Sequence, residues 1–211
     1  MGPFTITAAQ AKYIFNKEWS AYFAVANGWD DFRDNNDAHS YVTGGSWSSA
    51  EQIDGHSRES AVFNVMTGPE QTGNVNNFRT VVDGTGTYWW TGKLSEALNA
   101  DWATEEDASP TGGVARWYGM AHYLSYIFND YCTGVWRAEW FRDDTGIHTV
   151  TVPATWYEMT WGVTLTPWPN NKVLRNLSFR PEFRWDFADE PVFGDDHQNQ
   201  LTLAMDAIFK F

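Results

Sequence analysis

The feature that most constrains this chain is a repeated alternation of apolar and polar residues, in stretches of about 10 to 14 residues separated by turn-forming residues. A period of two residues is typical of β-strands, because successive side chains point to opposite faces of a sheet. The pattern predicts an all-β, antiparallel fold of about 11 to 12 strands. The predicted strands are Phe4 to Phe15, Glu18 to Trp29, His39 to Ser48, Arg58 to Thr67, Phe78 to Thr91, Leu94 to Ala103, Val114 to Phe128, Cys132 to Arg142, Thr155 to Thr166, Val173 to Phe187 and Gln200 to Phe211.

The connections between these strands alternate in length. Long connections, most of them acidic, begin at Asp30, Gly68, Thr104, Asp143 and Ala188, and the connections between them are shorter. Tight turns on one rim and long loops on the other are typical of an up-and-down outer-membrane barrel, with the tight turns in the periplasm. A soluble β-sandwich has no reason to alternate so regularly. No linker is visible, so residues 1–211 are predicted to form one barrel domain.

Composition is compatible with a membrane barrel. No run of about 18 apolar residues occurs, so a transmembrane helix is not expected. The chain has 17% aromatic residues, including 13 Trp, yet a mean hydropathy of -0.47. Strands that alternate apolar and polar residues give such a low average. Many aromatic residues fall near predicted strand ends, as in the aromatic girdles at membrane interfaces, although ordinary core packing is the alternative interpretation.

The strand count bears on completeness. If Phe211 lies at the tight-turn rim, the first predicted strand enters from the long-loop side. An even-stranded barrel with both ends in the periplasm then needs at least one further strand upstream. The stretch MGPFTITAAQ also lacks the basic and apolar regions of a signal peptide. The chain is therefore expected to be the C-terminal part of a larger barrel.

The charged residues favour one face of the strands. In the predicted strand from Val173 to Phe187, one face carries Arg180, Glu182, Arg184 and Asp186, whereas the other is apolar. Alternation alone leaves open which face is outward, because a soluble lipocalin-like barrel buries its apolar face. Compensating charges favour a wet lumen. The residues predicted to line this lumen are Arg79, Asp83, Asp101, Arg137, Glu139, Glu158, Arg180, Glu182, Arg184, Asp186, Asp206 and Lys210.

Two residues fit the barrel pattern poorly. Glu96 is predicted on the lipid-facing side, near a short turn where a charge costs only about 0–1 kcal/mol. Pro181 lacks an N–H group within a strand, which predicts a bulge or another local irregularity.

No catalytic or metal site emerges from the sequence, and no enzyme activity or cofactor is predicted. His122 and Ser125 form the only candidate pair for hydrolytic chemistry, and the five histidines lack metal-ligand spacing. A net charge of -13 argues against nucleic acid as a partner. The acidic pairs are interpreted as solvated extracellular loops, with cation-bridged lipopolysaccharide as the alternative: Asp30-Asp31, Glu105-Glu106, Asp143-Asp144 and Asp195-Asp196.

Several stretches resemble the OmpL-like family of outer-membrane β-barrel porins. They are VANGWDDFRDNND, LNADWATEED, RWYGMAHYLSYIFND, RAEWFRDDTG, LRNLSFRPEFRWDFADEPVF and QLTLAMDAIFKF. The resemblance implies an integral pore in the outer membrane of a Gram-negative bacterium, for small hydrophilic solutes. The final residues also resemble the signal read by the barrel-assembly machinery: Leu203, Met205, Ala207, Phe209 and Phe211.

Three hypotheses for function follow. The leading one is a porin for passive diffusion of small polar solutes, in which acidic loops favour cations at low ionic strength. The second is a structural or anchoring barrel without conductance, with the inward charges forming a salt-bridged plug. The third is a soluble lipocalin-like binding barrel.

Overall fold

The computed structural model describes residues 5–148 and 152–211. The predicted start of the first strand at Phe4, and residues 149–151 of the predicted loop from Asp143, lie outside the described residues.

Eleven antiparallel strands form one sheet, and each strand is hydrogen-bonded to its neighbours in sequence apart from a small inserted hairpin, β4–β5. The strands are β1 (Ala8–Ile14), β2 (Trp19–Ala26), β3 (Ser40–Ser48), β4 (Gln52–Ile53), β5 (His56–Ser57), β6 (Glu59–Pro69), β7 (Phe78–Trp89), β8 (Leu94–Glu105), β9 (Ala115–Asn129), β10 (Cys132–Asp143), β11 (Ala154–Leu165), β12 (Leu177–Ala188) and β13 (Asn199–Phe209). Two 3-10 turns span Leu174–Asn176 and Gly194–Asp196. In the described part of the chain, no helix has the length and apolarity needed to cross a membrane.

The predicted all-β, antiparallel fold is confirmed, and each of the eleven predicted strands matches one strand of the large sheet. The largest differences have local causes. β2 ends at Ala26 rather than Trp29, because Gly28 has a φ of 139° and the Trp29 N–H donates to Glu70 instead of continuing the ladder. β12 begins at Leu177 rather than Val173, because the preceding residues form a 3-10 turn.

The connections define two rims. The tight-turn rim is made by the connections after β1, β3, β7, β9 and β11, and the long-loop rim by those after β2, β6, β8, β10 and β12. Within the described residues, β1 and β13 each pair with one neighbour, so the sheet is open between them. Both of these strands run from the long-loop rim to the tight-turn rim, and they are therefore parallel to each other.

The strand register aligns side chains of neighbouring strands, so that the sheet has two chemically distinct faces. Trp161 pairs with Phe183, and Phe183 pairs with Leu203, so these side chains share one face. We call this the apolar face; it is represented strand by strand by Phe23, Tyr41, Phe63, Val82, Trp102, Met120, Trp140, Met159, Trp185 and Leu203. The opposite side is the polar face. Leu203 is 82% exposed, whereas Glu158 on the polar face is 6% exposed.

Two small hydrophobic cores lie on the polar face near the long-loop rim. One contains Val81, Trp117 and Phe141, and the other contains Val42 and Met66. The long connections supply Trp29, Ala108 and Ile147 to these cores. The long loops therefore fold over the polar face instead of extending fully into solvent.

This packing makes the prediction of solvated loop acids wrong for two residues. Glu105 is the last residue of β8 and is only 2% exposed. Asp143 ends β10 and is fully buried, where it accepts N–H hydrogen bonds from Gly146 and His148, both at 2.8 Å. Each buried carboxylate accepts hydrogen bonds from donors that the sequence pattern did not reveal.

Candidate functional site

The polar face brings the predicted lumen residues onto one surface. Strand pairing places eleven of the twelve on this face: Arg79, Asp83, Asp101, Arg137, Glu139, Glu158, Arg180, Glu182, Arg184, Asp186 and Asp206. Lys210 follows the end of β13, and its N–H donates to the Asn176 carbonyl at 3.0 Å. This surface is the candidate functional site.

Three strands assemble a row of acids on the polar face. Glu139 of β10 lies opposite Glu158 of β11, and Glu158 lies opposite Asp186 of β12. Like charges directly opposite each other on neighbouring strands repel. The row is therefore stable only with cations beside it.

Two arginines supply those cations from the adjacent row. Arg137 forms ion pairs with Glu139 and Glu158. Arg184 lies 2.6 Å from Asp186 and 3.7 Å from Glu158. The cluster of three acids and two arginines is compact and carries a small negative excess of charge.

A second network on the polar face consists mainly of uncharged groups. The Tyr22 hydroxyl donates to the Asn64 amide oxygen at 2.8 Å, and the Asn64 nitrogen donates to Asp83 at 3.0 Å. Asn99 donates to the other Asp83 oxygen at 2.6 Å. Asp101 lies directly opposite Asp83 in the register. The prediction from charge missed the three neutral residues, although their alternation with apolar neighbours places them on the same face.

Arg79 closes the polar face at the long-loop rim. It lies 2.7 Å from Glu105, and the guanidinium carbon is 5.0 Å from the Trp29 ring centroid and 5.9 Å from that of Trp117. Contact with two aromatic faces favours a cation that is largely removed from water. This arrangement ties the loop that carries Trp29 to the wall of the sheet.

Glu70 anchors the same loop from the other side. Its two carboxylate oxygens accept the Ser40 hydroxyl at 2.5 Å and the Trp29 N–H at 2.6 Å. Burial raises the pKa of Glu70, and the two hydrogen bonds oppose that rise. The sequence pattern alone gave no reason to select this residue, because its partners are distant in the chain.

The candidate catalytic pair is divided between the two faces. Ser125 lies opposite Val135 on the polar face, whereas His122 lies on the apolar face, 3.3 Å from Glu96. Glu96 therefore occupies the predicted apolar side, with His122 as its partner. Among residues 5–148 and 152–211, no group of three or more histidines, cysteines or carboxylates could hold a metal ion.

Aromatic side chains of the apolar face form pairs at both rims. At the tight-turn rim the ring centroids of Trp19 and Trp47 are 6.1 Å apart, and those of Tyr126 and Phe128 are 5.0 Å apart. At the long-loop rim, pairs include Tyr118 with Trp140 and Tyr157 with Phe187. Two such belts are typical of the membrane–water interfaces of a transmembrane barrel.

The distribution of exposure is the reverse of that in a soluble barrel. Leu201 and Met205 on the apolar face are 64% and 69% exposed, whereas Asp186 on the polar face is 8% exposed. A lipocalin-like barrel buries its apolar face around the ligand. This geometry places apolar side chains where lipid lies and charged side chains away from it.

Comparison with protein families gives a match over the whole chain. Residues 1–211 match the family model described as "Putative beta-barrel porin-2, OmpL-like". No curated protein matches the chain.

Two solved structures share the fold. The outer membrane channel DcaP of Acinetobacter baumannii superposes with a TM-score of 0.61 at 10% identity, over 98% of this chain and 62% of that one. The NanC porin has a TM-score of 0.50 at 10% identity, over 98% of this chain and 93% of that one. The chain thus spans less than two thirds of the DcaP chain. At this identity the similarity concerns the fold.

Proposed function

Because the chain belongs to the OmpL-like β-barrel porin-2 family, whose members are integral outer-membrane proteins, we propose that it forms a water-filled channel for passive diffusion of small hydrophilic solutes. The observation that carries this proposal is the continuous polar face, which holds charges on β7, β8 and β10 to β13 behind an exposed apolar face. Charged groups lining a wide lumen filter polar solutes without binding them tightly. This chemistry favours a channel over an enzyme.

The proposed pore lining consists of Lys210 and the eleven predicted lumen charges that lie on the polar face. Residues 1–211 would form a single barrel domain, with the tight-turn rim in the periplasm. In lipid, both sheet edges must be hydrogen-bonded. Since β1 and β13 run in the same direction, direct contact would give a parallel pair, and one intervening strand would give antiparallel closure.

The charge balance predicts a preference for cations. The formal net charge is -13, and much of the acidity lies in the long connections. A negative field at the channel mouth raises the local concentration of cations, and salt screens this effect beyond about 8 Å at physiological ionic strength. We expect cation selectivity that weakens as the salt concentration rises.

The proposed partners follow from the two faces and rims. Outer-membrane lipid contacts the apolar face, and lipopolysaccharide would contact the long-loop rim. The barrel-assembly machinery would read the last strand through Leu203, Met205, Ala207, Phe209 and Phe211, of which the first four lie on the apolar face. No nucleic-acid partner is proposed.

A non-conducting structural barrel is the second candidate. The observation that favours it is the pair of hydrophobic cores on the polar face, where long-loop residues such as Trp29 and Ile147 cover the rim. In this case the charged cluster would stabilise a plugged barrel.

Planar-bilayer conductance of the refolded chain distinguishes these candidates. Far-ultraviolet circular dichroism first establishes that strands have formed. Long-lived, stepwise openings with a cation-selective reversal potential are expected for the channel. A folded β-protein that inserts but never conducts would favour the structural barrel. Anion selectivity would contradict the expectation that the acidic long connections produce a negative field at the channel mouth.

A further inference from the structure

The wall of the sheet is interrupted between β11 and β12. Pairing passes from Gly162–Glu182 directly to Leu165–Phe179, and skips the pairs that Val163 and Thr164 would make. Pro181 lies across from Val163 and has no N–H to donate to its carbonyl. On its other side, Pro181 remains in register with Met205 of β13. The irregularity predicted for Pro181 is therefore confined to one side of β12.

An apolar groove of about 550 Å³ lies at this interruption. The apolar-face residues that line it are Trp161, Val163, Pro181, Phe183, Leu203 and Met205. It opens on the same side as the aromatic belts, so it is continuous with the lipid-facing surface of this outer-membrane protein. A groove in this position is filled by the hydrocarbon that surrounds the barrel.

The groove lies toward the tight-turn rim. β12 starts at that rim with Leu177, and Pro181 follows four residues later. At about 3.4 Å per residue and a strand tilt of about 40°, this places Pro181 about 10 Å from the start of the strand. The hydrocarbon core is about 30 Å thick, so the groove faces the leaflet next to the tight turns.

Two exposed cations lie at the rim below the groove. Lys172 and Arg175 belong to the connection between β11 and β12, which contains no Asp or Glu over residues 166–176. Among the described residues, neither of the two forms an ion pair.

We propose that this groove and the rim cations bind one phospholipid of the periplasmic leaflet. An acyl chain occupies the groove, and the phosphate lies against Lys172 and Arg175. The occupant combines the two chemistries that the site presents, an apolar chain in the wall and an anion at the interface. The choice of leaflet rests on the proposed orientation of the barrel, whereas the site itself does not depend on conductance.

Native mass spectrometry of the full chain in detergent micelles containing phosphatidylglycerol tests the site. We expect one retained phosphatidylglycerol per chain. The Lys172→Gln and Arg175→Gln substitutions should each weaken retention about fivefold, because each cation near a membrane surface contributes about that factor. Lys93→Gln, in the tight turn after β7, is the matched control and should have no effect.

The groove needs its own variant. Leu203→Trp places a larger side chain at the groove and should reduce retention, whereas Leu98→Trp on the apolar face of β8 should not. The site would be overturned if Leu203→Trp and the Lys172→Gln/Arg175→Gln double variant retained as much phosphatidylglycerol as the unchanged protein. So would equal loss with Lys93→Gln, binding of detergent only, or preferential retention of lipopolysaccharide. Conductance measured on the same samples separates this outcome from the proposed channel function.

Discussion

Arg79 and Glu105 are directly opposed in the β7–β8 register, with 2.7 Å between a guanidinium nitrogen and a carboxylate oxygen, and their side chains are only 17% and 3% exposed. The pair lies beneath two tryptophan rings at the long-loop rim. Taking one member away leaves a charge that is poorly solvated and without its counterion. The stability of the rim should therefore depend on the pair as a unit.

Arg79→Met should lower the free energy of unfolding by about 3–5 kcal/mol, the usual effect of leaving one member of a buried pair uncompensated. The double variant Arg79→Met/Glu105→Leu should be more stable than the single variant. Urea unfolding of the protein folded into lipid vesicles measures both. Arg180→Ala, which removes a half-exposed pair with Asp206, is the control and should change stability little. Equal losses for Arg79→Met and Arg180→Ala would contradict the role of burial.

Arg137→Gln should make the channel more cation-selective, since it removes the positive partner of both Glu139 and Glu158. Reversal potentials in a salt gradient report this shift. Arg142→Gln is a matched control on the same strand, because Arg142 lies opposite Tyr118 on the other face. A shift of the same size in both variants would indicate a general charge effect rather than a polar-face lining.

Val65→Lys should destabilise the folded protein by about 2–4 kcal/mol, because a lysine on the lipid-facing side near the membrane midplane loses its hydration. Val65 lies opposite Val82 on the apolar face, whereas Val62 of the same strand lies opposite Thr85 on the polar face. Val62→Lys should therefore be tolerated. Folding yield into vesicles and urea midpoints compare the two. If Val62→Lys were the more damaging change, the two faces would have been assigned in reverse.

Acidification should loosen the segment that carries His148. Burial lowers the pKa of His148 below its ordinary value of 6.5, and the nearby Asp143 opposes this effect only partly. When the segment is undocked, His148 is protonated at a higher pH than when it is buried. The stabilisation from docking is therefore complete above pH 6.5 and declines as pH falls through the lowered pKa. Hydrogen exchange of residues 144–148 should accelerate over this range. In His148→Phe the acceleration should be absent; if it persisted, another group would be responsible.

Gly44→Ala should disrupt the neutral network of the polar face. A Cβ at this position would lie 2.6 Å from the Phe63 carbonyl oxygen, the Tyr22 ring and the Asn64 amide oxygen. Overpacking of this kind costs about 1–3 kcal/mol. Gly45→Ala is the adjacent control, where the nearest atom would be 3.4 Å away. Urea unfolding should show a larger loss for Gly44→Ala, and similar values would mean that the neighbouring strands shift without strain.

The sequence by itself determined the strands and their two faces. The predicted strand from Cys132 to Arg142 differs by one residue from β10, and the face expected for Arg137 and Glu139 is the face they occupy. Successive side chains of a strand point to opposite sides, so the alternation of near neighbours in the chain already contains this information. The same local rule located the irregularity at Pro181, because a missing N–H interrupts a ladder wherever the strand pairs.

Only the tertiary structure decided which polar groups meet. The row of Glu139, Glu158 and Asp186 depends on the register of three strands. The burial of Glu105 and Asp143 depends on loops that fold back over the sheet, although both residues belong to acidic stretches that indicated solvent. Register and loop packing are set by contacts between residues far apart in the chain, and the free energy of those contacts has no signature in a local pattern.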